Sequence, residues 1–113
     1  MGNILGHLNP QNVFNHFEEI CKYPRPSKKE EKIIQFIRKF GEDLGLETRV
    51  DGAGNVVIRK PASRGMEDRK GVVFQAHLDM VPQKNNQIQH NFEQDPIDAH
   101  IDGDWVKANG TTL

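Results

Sequence analysis

The sequence predicts an α/β fold, two helices followed by strands of a mixed sheet, that is left incomplete within the chain. Three observations carry this expectation. Two early stretches have helical apolar spacing, β-type runs come after them, and the most apolar of those runs is followed by nothing that could cover it.

Residues 10–22 read as the first helix. Val13, Phe14, Phe17, Ile20 and Cys21 fall on one stripe, with Asn9 as a cap and Pro10 at the first helical position. Cys21 lies on the stripe and reads as a small buried hydrophobe, because no base is indicated beside it. His16 falls off the stripe and is expected in solvent. Tyr23-Pro24-Arg25-Pro26 ends this helix, since a residue before proline avoids the helical region. Ser27-Lys28-Lys29-Glu30 has the form of a capping box. The second helix then runs to about Leu44 over Ile33, Ile34, Ile37 and Phe40, and Gly45 stops it. Lys28, Lys29 and Lys32 are interrupted by Glu30 and Glu31, so they read as a solvated face.

Residues 46–50 and 55–59 read as a hairpin around Asp51-Gly52-Ala53-Gly54. Residues 60–70 form a polar loop. Residues 71–76 form the most strand-like run, continuous rather than alternating, as in a strand covered on both faces, and lead into His77-Leu78-Asp79-Met80. Residues 82–96 read as a loop. Residues 97–101 and 105–107 read as a last hairpin about Asp102-Gly103-Asp104. A parallel neighbour for 71–76 would need a crossover of a dozen or more residues, usually helical, and none comes after it.

Composition narrows the function. The chain has 113 residues, room for one domain at most. Lys and Arg number 15 against 16 for Asp and Glu, a net charge of −1, which removes the electrostatic case for nucleic acid. A single cysteine rules out an internal disulfide framework and suits a reduced, cytoplasmic setting. No run reaches the roughly 18 apolar residues of a membrane span. The first residues lack a secretory leader, and Gly6 stands where myristoylation wants Ser or Thr.

One motif carries chemistry. Residues i and i+2 of an extended chain share a side, so His77 and Asp79 can stand together at a strand end. A carboxylate beside a histidine can hold its Nδ1 proton and leave Nε2 aimed at a metal. With five histidines and eight aspartates, chance predicts roughly 0.35 His-x-Asp patterns, and the chain has two. The second, His100-Ile101-Asp102, sits in an alternation with Ile97, Ala99 and Ile101 opposite, and reads as a solvated face. Residue chemistry alone leaves His77 and Asp79 open between a metal or catalytic role and a hydrogen-bonded structural pair.

Beyond residue chemistry, the sequence resembles the cytosolic aminoacyl-histidine dipeptidases, a family of metal-dependent exopeptidases. The resemblance runs from about Asn9 to Leu113. Its carrying segments are Cys21-Lys22-Tyr23-Pro24-Arg25-Pro26-Ser27, Gly54-Asn55-Val56-Val57-Ile58-Arg59-Lys60-Pro61-Ala62, and Gln75-Ala76-His77-Leu78-Asp79-Met80-Val81-Pro82-Gln83-Lys84-Asn85-Asn86. Ile101-Asp102-Gly103-Asp104-Trp105-Val106-Lys107-Ala108 and Gly110-Thr111-Thr112-Leu113 also fit. The resemblance implies a co-catalytic site of two Zn2+ ions on an α/β catalytic domain, with residues 1–113 as its N-terminal portion. It implies His77 as a metal ligand and Asp79 as the catalytic-site carboxylate that orients it. It implies unblocked dipeptide substrates, Xaa-His among them, and a homodimer whose dimerisation region lies outside this chain. The family's general base and remaining ligands would come after Leu113, so the chain alone is expected to be inactive. Two rivals remain: a non-catalytic truncated product acting as a binding or assembly module, and a small independent metal-binding domain.

Overall fold

The computed structural model describes residues 3–113. The N-terminal reading that involves Met1 and Gly2 lies outside the described residues. Helix α1 spans Gln11–Cys21 and helix α2 spans Glu31–Asp43, close to the spans expected. Pro10 sits one position earlier than predicted, as the residue flanking α1, and no side chain caps that end. The C-terminal end is better served: the Ile20 carbonyl accepts from the Tyr23 N–H at 3.2 Å and from Arg25 Nη1 at 3.0 Å. Cys21 is buried, as its place on the stripe predicts. His16 is exposed, and its ring meets Phe40 edge-on at 5.5 Å. Tyr23 stacks on Phe36 at 4.3 Å, so aromatic contacts tie α1 and its exit to α2.

The capping box does not form. The residue flanking α2 is Glu30, and it makes no side-chain cap. Lys28 adopts φ +71°, and the Glu30 carboxylate accepts from the Lys28 backbone N–H at 2.7 Å. The Ser27 hydroxyl is turned elsewhere, towards Asp79. A Ser-x-x-Glu spacing places two groups that can cap, but the left-handed residue between them breaks the geometry the box requires.

Strands β1 (Glu47–Val50) and β2 (Val56–Arg59) pair antiparallel, Glu47 opposite Arg59 and Val50 opposite Val56. Asp51 holds their turn: its carboxylate accepts from the backbone N–H of Ala53 and Asn55 at 2.9 Å each, and from the Asn55 side chain at 2.8 Å. Gly54, at φ +89°, completes the turn in a conformation that favours glycine. This hairpin packs on α2. Ile33 on α2 is 2% exposed, a burial that contributes about 2–3 kcal/mol.

Strands β3 (Ala99–Asp102) and β4 (Trp105–Ala108) form the second antiparallel hairpin, with Ile101 opposite Val106. Cys21, Met80, Ile97 and Ala99 form a small core with Phe17, Val106 and Ala108 against it. The Ile97 N–H donates to the Cys21 carbonyl at 2.9 Å, which locks the start of this hairpin to the end of α1.

The α/β class therefore holds, with two helices and short antiparallel strands. Residues 71–76 correct the expectation of a strand, since they form no ladder, and they are uncovered on both faces, as the missing crossover predicts. Val72, Val73 and Phe74 are 76%, 91% and 96% exposed. A strand needs a neighbour for its N–H and C=O groups, and none of the described elements supplies one. The consequence is visible in the whole molecule. Its surface is 8932 Å², against about 6300 Å² for a compact protein of this mass. Its radius of gyration is 16.5 Å, against about 13 Å for a compact domain of this length.

Candidate functional site

His77 and Asp79 are held in place by Met80, the residue directly after them. Met80 and Pro26 form an isolated parallel bridge. The Met80 N–H donates to the Arg25 carbonyl at 2.9 Å, and the Ser27 N–H donates to the Met80 carbonyl at 3.3 Å. The segment just after α1 is thereby laid alongside the motif, although the two are far apart in the chain. Met80 itself is in the small core, so the motif is anchored at its far end although residues 71–77 are exposed.

Within the motif, Asp79 Oδ1 lies 3.0 Å from His77 Nδ1, and the Asp79 carbonyl oxygen lies 2.7 Å from the same nitrogen. Both are acceptors. They are compatible with one neutral tautomer, in which Nδ1 carries the hydrogen and Nε2 is a bare lone pair. The other carboxylate oxygen, Oδ2, accepts from the Ser27 hydroxyl at 2.5 Å. The Ser27 hydrogen bond first, and the His77 contact second, hold the Asp79 carboxyl below the usual aspartate range. Asp79 is thus a carboxylate at neutral pH, and it acts only as an acceptor.

The His77 side chain is 80% exposed and that of Asp79 is 34% exposed. Solvent screens such a pair, so its value is orientation rather than stability. A shallow hollow of about 230 Å³ lies elsewhere, on the β1–β2 hairpin, lined by Glu47, Arg49, Val57 and Arg59. It contains neither member of the dyad.

The second His-x-Asp pattern assembles no site. Asp102 accepts from Lys107 Nζ at 2.5 Å and is exposed. His100 departs from the expected solvated face: it is half-buried, and its Nδ1 is shielded without a partner. His77 and Asp79 come together as the sequence predicts; His100 and Asp102 do not.

Ser27 is the site residue that motif reasoning missed. It read as a helix cap because Glu30 stands at the capping-box spacing. The signal that could have found it was its place at the end of Cys21-Lys22-Tyr23-Pro24-Arg25-Pro26-Ser27. Thr112 is a second arrival. Its Oγ1 donates to the Val81 carbonyl at 2.5 Å, and its N–H donates to the Gln83 carbonyl at 2.9 Å. With Lys84 bridged to Thr111, this lays the Gly110-Thr111-Thr112 segment beside the residues just past the motif.

The donor set fits a divalent metal at one point only. Nε2 of His77 is the free imidazole lone pair such an ion takes. Among the described residues no three His, Cys, Asp or Glu side chains gather to hold a metal ion. A catalytic zinc usually takes three protein ligands and water, more than the one imidazole of His77 could supply.

No family model matches the chain. It is 52% identical over 109 residues, 96% of its length, to the cytosol non-specific dipeptidase of Escherichia coli (strain K12). The crystal structure of the aminoacylhistidine dipeptidase from Vibrio alginolyticus matches 96% of the chain with a TM-score of 0.93 and 51% identity. The chain spans 22% of the length of each of these relatives. No helix among the described residues is long and apolar enough to cross a membrane.

Proposed function

We propose that the chain is the N-terminal portion of the catalytic domain of a metal-dependent dipeptidase, proceeding from its similarity to two dipeptidases along nearly its whole length. The hydrolysis of unblocked dipeptides, Xaa-His among them, belongs to the complete enzyme in the cytoplasm. The single observation that carries the reading is the oriented His77: two acceptors on Nδ1 leave Nε2 free for a metal.

In this reading His77 Nε2 is one ligand of a zinc pair. When bound, the metal supplies an activated water and polarises the peptide carbonyl. Asp79 keeps the Nδ1 hydrogen in place, so the imidazole presents a lone pair rather than an N–H. It also stays anionic, so it acts on the ring only as an acceptor. The general base, the remaining ligands and the family's dimerisation region are assigned to polypeptide outside this chain. The chain alone is therefore inactive. The exposed 71–76 run is the surface on which the rest of the domain would pack, and similarity to enzymes favours this over a free-standing binding or assembly module.

The test is a chimera in which this chain replaces the matching 22% of the Escherichia coli dipeptidase. It should hydrolyse dipeptides, and His77→Ala in the chimera should lose at least about a hundredfold in kcat/KM, beyond what loss of an outer-shell partner costs. A folded chimera equally active with and without His77 would overturn the assignment. Zinc-dependent turnover by the 113-residue chain alone would overturn its incompleteness.

A further inference from the structure

We propose that Ser27 is a positioning residue for His77, acting through Asp79, so that the orienting unit is a Ser27–Asp79–His77 relay and not a dyad. This rests on the reading of His77 as the residue that presents Nε2.

Asp79 has two carboxylate oxygens, and each has one partner in a different element. Oδ2 accepts from Ser27 Oγ at 2.5 Å, and Oδ1 faces His77 Nδ1 at 3.0 Å. A carboxylate held at one oxygen alone is free to turn about its terminal torsion, whose minima are broad. Held at both, its plane is fixed, and Oδ1 stays where Nδ1 needs it. The Ser27 hydroxyl has one other acceptor in range, the Met80 carbonyl at 3.5 Å, and the shorter contact takes the hydrogen.

Backbone pairing makes the relay more than a chance meeting of exposed side chains. The Ser27 N–H to Met80 carbonyl bond and the Met80 N–H to Arg25 carbonyl bond pair Pro26 with Met80, which leaves the Ser27 hydroxyl beside the Asp79 carboxylate. Both use main-chain atoms, so they survive loss of the hydroxyl. Among the described residues they are the backbone hydrogen bonds that fix residues 71–80 to the rest of the chain. The motif's orientation thus depends on a segment that precedes it by 52 positions. The Asp79 carbonyl also accepts from Nδ1 at 2.7 Å, so loss of Ser27 should weaken the tautomer preference rather than abolish it.

The experiment reads the imidazole without metal. Long-range proton–nitrogen NMR spectra of the metal-free 113-residue chain are recorded at about pH 8, above the ordinary histidine range. His77→Gln assigns the ring. The wild-type chain should show Nδ1 protonated and Nε2 bare. Ser27→Ala should raise the Nε2–H population about threefold or more, the scale set by losing one hydrogen bond. Ser27→Thr keeps the hydroxyl and should retain the wild-type pattern. The Met80 amide signal should be unmoved in both, since the bridge is main-chain. An unchanged His77 pattern in Ser27→Ala would overturn the proposal. If that variant does not fold, Ser27→Thr decides: a wild-type pattern supports the relay, and a mixed one overturns it. The chimera with the Escherichia coli dipeptidase tests the underlying reading separately. Loss of activity in its His77→Ala variant supports the metal assignment. Full activity without His77 overturns it, while the relay, measured without metal in the 113-residue chain, stands.

Discussion

A Cβ on Gly41 would lie 2.2 Å from Thr48 Oγ1, so α2 and β1 approach as closely as a glycine allows. Ile58 crowds the same point, with its Cδ1 and Cγ1 at 3.0 Å. Alanine favours a helix interior over glycine by about 1 kcal/mol. Here overpacking outweighs that gain. Gly41→Ala should lower stability by about 1–3 kcal/mol in urea unfolding. Thr48→Ala in the same chain should recover much of the loss, because the Ile58 tip can swing away. A more stable Gly41→Ala variant would show that α2 and β1 can part without cost.

The β1–β2 turn should confer acid sensitivity. The Asn55 side chain first, then backbone N–H groups, lower the Asp51 pKa. A lowered folded value means the carboxylate stabilises the fold above its ordinary pKa of about 4 and loses that effect as pH falls through the folded value. Asp51→Asn should therefore flatten the fall in thermal midpoint below about pH 4. Asp79 and Asp102 shift in the same direction, so some acid sensitivity should persist. An unaltered acid limb in Asp51→Asn would show that Asp51 is not a source of it.

Burial separates two apolar helix residues that look alike in sequence. Ile33 is 2% exposed and Val13 is 59% exposed. Ile33→Ala should cost about 2–4 kcal/mol, and Val13→Ala should stay within about 0.5 kcal/mol. With so small a core, the first variant should unfold at far lower urea. Equal effects at both sites would contradict the burial of Ile33.

The uncovered run should make the chain associate. Val73 and Phe74 are 91% and 96% exposed, on a segment with unpaired backbone. Exposed apolar edges of this kind pair with other chains. Light scattering should give a wild-type mass that rises with concentration. Val73→Lys with Phe74→Lys should bring it towards the monomer and leave the stability in urea within about 0.5 kcal/mol, since neither side chain packs on anything. A strictly monomeric wild-type chain would count against an interface at 71–76.

Sequence by itself determined the local elements and the chemistry-bearing pair. The Phe17–Cys21 stripe made α1, Asp51 to Gly54 made a turn, and His77 with Asp79 at i and i+2 met as their spacing requires. These are short-range properties of periodicity and turn chemistry. Tertiary structure alone decided the rest. A capping-box spacing could not reveal that Ser27 would turn to Asp79, because that bond spans 52 positions. An alternating pattern could not reveal that His100 would be half-buried, because cover comes from elsewhere in the fold. The missing crossover announced that residues 71–76 would lack cover, but only the fold shows that they then form no strand, because a strand is completed by its neighbour. Spacing states what a segment can do, and long-range contacts decide which of those options is used.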